Sequence, residues 1–393
     1  MSKKTFNTVI GQAARGANYF PRTNITDEIW RKLNSGSNLL MVAPRRVGKS
    51  SILFHLLDNP KENLLISYYI SESVNNENEF YKKLFHHILE KMNTLRRYTT
   101  ILKTLAKSFP SSVESIGPEG IKFCQGNSVD YCNELRLLMQ KTELKDEKII
   151  VLIDEFASTV ENIERDEDAN AAIHFLETKR SLRQDPAIQN KLQFIYAGSI
   201  GLENIVSRMG KVNLINDLSP LGVPQLTRTE ALNLTNMIID GSEISLGDDA
   251  FDHLLNVIEY WIPYYFQIIL DESYKIVAIN DAAVIANADI DAAVKSALKQ
   301  RLYFEHWLAR LRTAYKGNDF SFVKELLNVI SEKKKIPSSA VVDCAIKYGI
   351  EDSYNVLVNA LKYDGYINNN DNPKEYKFNS SLLREWWYEN VAN

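Results

Sequence analysis

The chain has 393 residues, a formal net charge of −4, 45% hydrophobic residues and 24% charged residues. Its length exceeds what one hydrophobic core usually serves, so we expect two or three domains. The ordinary balance of apolar and charged residues excludes a fibrous or extensively disordered chain. The small net charge excludes a polycationic field over the whole molecule, although it permits a local basic patch.

The three cysteines, Cys124, Cys132 and Cys344, are odd in number and widely spaced. They therefore indicate neither a disulfide framework nor a zinc site. No run reaches the roughly 18 apolar residues that a membrane span needs, so we expect no membrane association through a helix. The amino-terminal stretch lacks an apolar signal core, and we therefore expect a cytoplasmic protein.

Apolar segments alternate with helical patterns through the first half of the chain. After a lead-in with a helix from Thr26 to about Leu33, the patterns predict buried strands at residues 38–42, 64–70, 148–153 and 192–197. They predict helices at residues 50–57, 77–93, 129–141 and 169–183. Strands that alternate with helices indicate an α/β fold with a parallel sheet.

The second half of the chain has a different pattern. A turn-rich stretch at 218–227 marks the end of the first domain, and only helices are predicted from residue 228 to 300. Three further helices and a β-hairpin follow, which is the pattern of a winged helix. We therefore predict a nucleotide-binding domain over 1–225, a helical lid over 226–315 and a winged-helix domain over 316–393. Residues 94–128 have an irregular pattern that we interpret as an insertion.

The run APRRVGKS, from Ala43 to Ser50, has the pattern of a phosphate-binding loop. It fits G-x-x-x-x-G-K-[ST], with Ala in place of the first Gly, and lies between a predicted strand and a predicted helix. In such a loop, backbone N–H groups at the helix start point at the phosphates, and the helix dipole favours anions. We predict that Lys49 reaches the β- and γ-phosphates, Ser50 binds Mg²⁺ and Ser51 contacts the α-phosphate. The alternative interpretation is a chance match in a basic loop.

The predicted nucleotide-contacting residues of this loop are Ala43, Pro44, Arg45, Arg46, Val47, Gly48, Lys49, Ser50 and Ser51. Gly48 allows the backbone to approach the phosphates closely. The two arginines have three interpretations: solvated side chains, phosphate contacts, or contacts with a neighbouring subunit.

A second apolar strand ends in two acids, Asp154 and Glu155. In open α/β sheets, ligands bind at the carboxyl ends of the strands. We predict that Asp154 holds Mg²⁺ and that Glu155 polarises the attacking water. The alternative is a strand that ends in a solvated acidic turn. Together with the phosphate loop, the acids predict binding of a nucleoside triphosphate, and the absence of a guanine-reading N-K-x-D motif favours ATP over GTP.

Another predicted strand ends in Gly198 and Ser199. Ser199 is a candidate to sense the γ-phosphate or the attacking water, and we include it among the catalytic candidates with Lys49 and Glu155. The alternative is an ordinary turn between a strand and a loop.

Five segments occur in an order that resembles a known family: residues 18–22, 44–51, 153–156, 197–199 and 262–267. The sequence is similar to the archaeal-type AAA+ and STAND P-loop ATPases, which are related to the origin-recognition ATPases. This likeness covers most of the chain. It implies an α/β nucleotide domain, a helical lid and a carboxy-terminal winged helix.

The resemblance also implies roles for residues outside the two motifs. Adenine would pack against the segment from Phe20 to Arg22, and both residues are candidate nucleotide contacts. Pro263 begins the segment PYYFQ and would lie close to the bound nucleotide. Arg208 matches the position of an arginine finger that acts on a neighbouring subunit, and its alternative is an exposed helical residue.

The predicted winged helix has nearly balanced charge. Residues 316–393 contain ten Lys or Arg and eleven Asp or Glu. Affinity for DNA depends strongly on cationic contacts with phosphates, and the best candidates are Lys333–Lys335, Lys374 and Lys377. The fold analogy favours double-stranded DNA over a partner protein, and a homo-oligomer is also compatible with it.

Three hypotheses follow for the function. The first is an AAA+-type ATPase, slow or stimulated by a partner, in which ATP binding and hydrolysis control assembly or engagement of DNA or another partner. The second is a nucleotide switch in signalling or phage defence, whose winged helix docks protein. The third is a DNA-binding module with a vestigial nucleotide site.

Overall fold

The computed structural model describes residues 6–93, 112–117, 120–123, 129–144, 146–198 and 201–392. The chain forms two compact units. The sheet unit consists of the described parts of Pro21–Val42 and Lys49–Val223. The carboxy-terminal unit consists of the described parts of Met1–Phe20, Ala43–Gly48 and Pro224–Asn393.

The sheet unit contains a five-stranded sheet in which every strand pair is parallel. Its strands, in chain order, are β1 (Asn38–Val42), β2 (Leu64–Ile70), β5 (Lys148–Asp154), β6 (Leu192–Tyr196) and β7 (Leu218–Gly222). Their order across the sheet is β2-β5-β6-β1-β7. Parallel sheets are covered on both faces, which accounts for the continuous burial of β6 and of Ile149–Asp154 in β5. A separate antiparallel pair is formed by β3 (Val113–Gly117) and β4 (Gly120–Phe123).

The helices of the sheet unit are Thr23–Asn34, Lys49–Asp58, Glu77–Asn93, Tyr131–Lys141, Phe156–Asp166, Ala169–Gln184 and Leu202–Arg208. The predicted α/β class and its parallel sheet are confirmed. The helix Phe156–Asp166 follows β5 directly and was not predicted. It buries Phe156, Val160 and Ile163, which are four and three residues apart and therefore share one face.

The interpretation of residues 218–227 as only a turn-rich boundary is wrong in its first half. Residues 218–222 form β7, which pairs with β1 along its whole length, from Asn38 opposite Leu218 to Val42 opposite Gly222. Pro220 has no N–H to donate, and it is tolerated because β7 lies at the edge of the five-stranded sheet.

A buried arginine connects the helix Ala169–Gln184 to the segment before β7. The guanidinium of Arg183 donates hydrogen bonds to the two carboxylate oxygens of Asp217, at 2.7 and 2.8 Å. It also donates to the backbone carbonyl of Leu214 at 3.0 Å. Bidentate pairs of an arginine and a carboxylate are among the strong hydrogen-bonded interactions in proteins. This pair therefore holds Asp217, the residue before β7, against the helix Ala169–Gln184.

The carboxy-terminal unit is mostly helical. Its helices are Arg228–Ile239, Ala250–Ile258, Pro263–Ile279, Asn287–Lys299, Arg301–Ala314, Gly317–Lys333, Ser338–Tyr348, Tyr354–Tyr363 and Ser381–Asn390. Residues 228–300 do not contain helices alone, because β8 (Ser245–Leu246) and β9 (Val284–Ile285) form a short parallel pair. Among the described residues, no helix is both long enough and apolar enough to cross a membrane.

The end of the chain contains an antiparallel three-stranded sheet. Its strands are β10 (Lys335–Pro337), β11 (Ile367–Asn368) and β12 (Glu375–Phe378), in the order β10-β12-β11. The predicted hairpin corresponds to β11 and β12, and β10 adds a strand that has no clear sequence pattern because it is only three residues long. The proposed boundaries at residues 225 and 315 stay predictions.

The amino-terminal segment is bound to helices of the carboxy-terminal unit. The N–H of Asn7 donates to the carbonyl of Ile238 at 2.9 Å. The N–H of Val9 donates to the side-chain oxygen of Gln267 at 2.9 Å. The predicted lead-in therefore has two parts, since residues up to Phe20 belong to this unit and those from Pro21 to the sheet unit.

Candidate functional site

The predicted phosphate loop and the predicted acidic motif meet at the side chain of Asp154. Ser50 is the second residue of the helix Lys49–Asp58, which follows β1, and Asp154 is the last residue of β5. The strand β6 lies between β1 and β5, but all three strands are parallel and end at one edge of the sheet. The Ser50 hydroxyl donates a hydrogen bond of 2.8 Å to Oδ2 of Asp154.

The carboxylate of Asp154 accepts two more hydrogen bonds. The Tyr68 hydroxyl donates to Oδ2 at 3.0 Å, and the backbone N–H of Glu155 donates to Oδ1 at 3.1 Å. Only 5% of the Asp154 surface is exposed. Both carboxylate oxygens are therefore held, so the side chain has a fixed orientation.

Burial raises the pKa of Asp154 above its ordinary value, and the nearby Glu155 carboxyl raises it further. The hydrogen bonds from Ser50 and Tyr68 lower the pKa and offset part of this effect. A divalent cation beside the carboxylate would also lower the pKa of Asp154, because an opposite charge at short range stabilises the ionised form. A hydroxyl and a carboxylate are also the hard oxygen ligands that Mg²⁺ prefers.

Glu155 has a left-handed backbone conformation, with φ of 57°. This conformation is uncommon for residues other than glycine and persists where the surroundings enforce it. Here the next N–H, that of Phe156, donates to the carbonyl of Ala197 after β6 at 3.1 Å. The sharp turn places Glu155 directly between β5 and the helix Phe156–Asp166, and its carboxyl accepts a 3.4 Å hydrogen bond from Ser158.

The backbone of the phosphate loop has two residues with positive φ, Arg46 at 66° and Gly48 at 99°. Gly48 is the residue that this conformation favours. Ala43 is buried and does not have a positive φ, which explains why Ala can replace the first Gly of the motif. Lys49 is 8% exposed and begins the helix Lys49–Asp58.

Arg46 makes its contacts within the carboxy-terminal unit. Its guanidinium lies 4.8 Å from the ring centre of Tyr264, and its Nε donates to Nε2 of His306 at 3.3 Å. It also donates to the carbonyl of Gly11 at 3.3 Å. Burial, reinforced by Arg46 and Arg45, lowers the pKa of His306 to about 3, so its ring is neutral and accepts this hydrogen bond. Arg46 is therefore not simply a solvated side chain.

The other candidate residues have varied environments. Arg22 is 4% exposed and precedes the helix Thr23–Asn34, whereas Phe20 is partly exposed. Pro263 is the first residue of the helix Pro263–Ile279, where its fixed φ suits a helix start. Arg208 is paired with Glu164 and has a half-exposed side chain. Their roles toward a nucleotide stay predictions, as does that of the partly exposed Ser51.

Ser199 lies outside the described residues, so its predicted catalytic role also stays a prediction. In the described part of the chain, no group of three or more His, Cys, Asp and Glu side chains could hold a metal ion. Magnesium is commonly held by one or two carboxylates together with substrate phosphates, so a single carboxylate beside a hydroxyl is a suitable set.

The sequence reasoning missed Tyr68 and His306. A signal for Tyr68 exists in hindsight: β2 pairs with β5 residue by residue, with Ile70 opposite Asp154. A tyrosine two residues before that position lies on the same face of β2 as Ile70 and near the end of the strand. No local pattern indicates His306, because it meets Arg46 through a contact between segments far apart in the chain.

Comparison with known proteins gives matches to solved structures alone. No protein-family model matches the chain, and no curated protein matches it. The structure is similar to that of the Walker-type ATPase PABY2304 of Pyrococcus abyssi, with 16% identity and a TM-score of 0.62 over 96% of this chain and 98% of that chain. It is also similar to the ORC2 protein of Aeropyrum pernix in ADPNP–ADP complexes, with 11% identity and a TM-score of 0.54 over 94% and 92% of the two chains. At these identities the likeness shows the fold.

Proposed function

Because the chain has the fold of the ORC-like AAA+ P-loop ATPases, we propose that it binds ATP with Mg²⁺ and hydrolyses it slowly. The observation that carries this proposal is the 2.8 Å hydrogen bond between Ser50 and Asp154. It joins the hydroxyl of the phosphate loop to the carboxylate at the end of β5. Two motifs found independently in the sequence thus meet at one point with the chemistry that a magnesium–triphosphate complex requires.

Each residue has a defined role in this proposal. The backbone N–H groups at the start of the helix Lys49–Asp58 and the Lys49 ammonium bind the phosphates. Ser50 and Asp154 would hold the metal, which when bound neutralises charge on the β- and γ-phosphates. Glu155 accepts a proton from the attacking water and orients it. We retain Phe20, Arg22 and Pro263 as candidate contacts with the nucleotide, and Ser199 as a candidate catalytic residue.

We propose a low rate because hydrolysis would depend on an arginine finger, for which Arg208 is the candidate. Such a finger contributes about 10³–10⁵ to the rate in comparable enzymes. Arg208, the matching position, is paired with Glu164 of its own chain. A finger acting on a neighbouring subunit would have to exchange this ion pair for the phosphate, which supports an assembly-dependent ATPase over a constitutively fast one.

Nucleotide state is proposed to control engagement of a partner by the carboxy-terminal unit. Two of the lysines expected to contact DNA are already paired with acids, Lys335 with Glu375 and Lys377 with Asp371. Exposed pairs of this kind are weak, so they reduce the cationic field without preventing phosphate contacts. We therefore keep double-stranded DNA, a partner protein and a second copy of the chain as candidate partners.

The experiment that tests the proposal is a titration of the full chain with ATP, with Mg²⁺ present. The wild type should bind, and Lys49→Ala should weaken binding at least about tenfold, a loss of about 1.4 kcal/mol. Lys61→Ala is the matched control because Lys61 is an exposed lysine of the same unit, and it should bind as the wild type does. Thermal melts establish that each variant is folded.

The proposal is overturned if the folded wild type binds no purine triphosphate at millimolar concentration. It is also overturned if Lys49→Ala binds as tightly as the wild type, because the nucleotide would then lie elsewhere.

A further inference from the structure

We infer that Tyr68 is a positioning residue that holds Asp154 in the orientation needed for Mg²⁺, an inference that rests on the proposed ATP site. Tyr68 lies on β2, and its hydroxyl donates a 3.0 Å hydrogen bond to Oδ2 of Asp154. The phosphate-loop and acidic motifs do not include this residue. Its contact with the proposed metal ligand is direct and lies entirely within the sheet unit.

The Tyr68 ring is itself held by the helix that follows the phosphate loop. Its centre lies 4.8 Å from that of Phe54, with an angle of 51° between the ring planes. Phe54 belongs to the helix Lys49–Asp58, whose first residues are the proposed phosphate and metal contacts. Tyr68 therefore connects this helix to the carboxylate at the end of β5, through its ring on one side and its hydroxyl on the other.

The division of hydrogen bonds on Asp154 indicates what Tyr68 contributes. Oδ1 accepts the backbone N–H of Glu155, whereas Oδ2 accepts the hydroxyls of both Ser50 and Tyr68. Ser50 is the residue proposed to bind the metal, so Tyr68 is the donor to Oδ2 that has no other proposed task. Groups that orient a metal ligand typically contribute about 10- to 100-fold to metal affinity.

The next residue on the strand provides a matched comparison. Tyr69 points to the opposite face of β2, is 1% exposed and packs against Phe80 with ring centres 5.3 Å apart. Its hydroxyl is buried and forms no hydrogen bond within the described part of the chain. Tyr69→Phe thus removes the same atom from the same strand without touching Asp154.

The test measures ATP affinity of the full chain as a function of free Mg²⁺, and again in EDTA, for the wild type, Tyr68→Phe and Tyr69→Phe. For Tyr68→Phe, we expect a rise of about tenfold or more in the Mg²⁺ concentration that gives half of the full increase in ATP affinity. Its affinity for ATP in EDTA should not change, since the phosphate loop is intact. Tyr69→Phe should match the wild type in both conditions.

The outcomes separate this inference from the proposed function. If the wild type binds ATP with a Mg²⁺ dependence that Tyr68→Phe leaves unchanged, Tyr68 is only a packing residue and the inference is overturned alone, even if the melting temperature falls. If the wild type shows no Mg²⁺-dependent binding, both fail. Should Tyr68→Phe not fold, Phe54→Leu loosens the ring while keeping the hydroxyls, and it should raise the Mg²⁺ requirement in the same direction; an unchanged requirement overturns the inference.

Discussion

Lys179 offers a sharp test of the packing in the sheet unit. It lies on the helix Ala169–Gln184 and is fully buried, with 0% exposure. Its amine lies 3.9 Å from the ring centre of Phe194 and 5.0 Å from that of Phe80. Within the described residues, this nitrogen has no hydrogen-bond partner. A buried amine among aromatic rings without a partner should destabilise the folded state.

Burial lowers the pKa of Lys179 well below its ordinary value, and the charge of Arg183 lowers it further. A buried polar group without a hydrogen bond costs about 1–3 kcal/mol, and discharging the ammonium adds to this cost. Lys179→Met replaces the amine with an apolar side chain of similar length. We therefore expect the substitution to raise the free energy of unfolding by at least about 1–3 kcal/mol at pH 7.

The pH dependence has a definite sign. The pKa of Lys179 is lower in the folded than in the unfolded chain, so between the two values the unfolded chain binds one more proton. The stability of the wild type should therefore rise with pH in this window, by up to about 1.4 kcal/mol per unit from this group, until the unfolded pKa of about 10.4 is reached. Lys179→Met lacks this contribution, so its advantage over the wild type should shrink by the same amount for each pH unit.

Urea denaturation at pH 7, 8 and 9 measures the difference directly, and Lys141→Met is a control at an exposed position. The difference between wild type and control should stay constant across this range. A Lys179→Met variant that is less stable than the wild type at every pH would refute the reasoning. So would an advantage that does not change with pH.

Two further predictions concern separate features of the chain. Gly365 has a φ of +87°, and an added Cβ would lie 2.9 Å from Cβ of Pro44, whereas Gly349 has a φ of +66° and open space around it. Both Gly→Ala changes introduce strain of about 1–2 kcal/mol, and the clash should make Gly365→Ala worse by a further 1–3 kcal/mol, roughly; equal losses in urea denaturation would contradict this. Glu155→Gln should retain ATP binding while phosphate release falls about 10²-fold or more. Turnover equal to that of the wild type would contradict hydrolysis by Glu155 and support the nucleotide-switch alternative.

Much of the sheet could be predicted because its strands have strong local patterns. The strand β2 and the helix Glu77–Asn93 have the predicted bounds, and β5 extends the prediction by one residue. Continuous apolar runs allow this because parallel strands are buried on both faces. In contrast, β7 contains Pro220 and follows turn-forming residues, so its local pattern indicates a loop, and only its pairing with β1 makes it a strand.

The site could be predicted in part for the same reason. Ser50 and Asp154 were expected to meet because each follows or ends a parallel strand, and these strands end at one edge of the sheet. The contacts of Arg46 with Tyr264 and His306 could not be predicted, since they depend on packing between segments with no shared local pattern. The helix Phe156–Asp166 was missed because it starts directly after Glu155, without a side-chain hydrogen bond that caps its amino terminus.

The most direct measurement for the central claim is a crystal structure of the full chain grown with Mg²⁺ and a non-hydrolysable ATP analogue. The account predicts that the triphosphate contacts the backbone N–H groups at the start of the helix Lys49–Asp58 and that the metal is bound by Ser50 and Asp154. A triphosphate bound at another place in the chain, or a metal with no contact to Asp154, would contradict it.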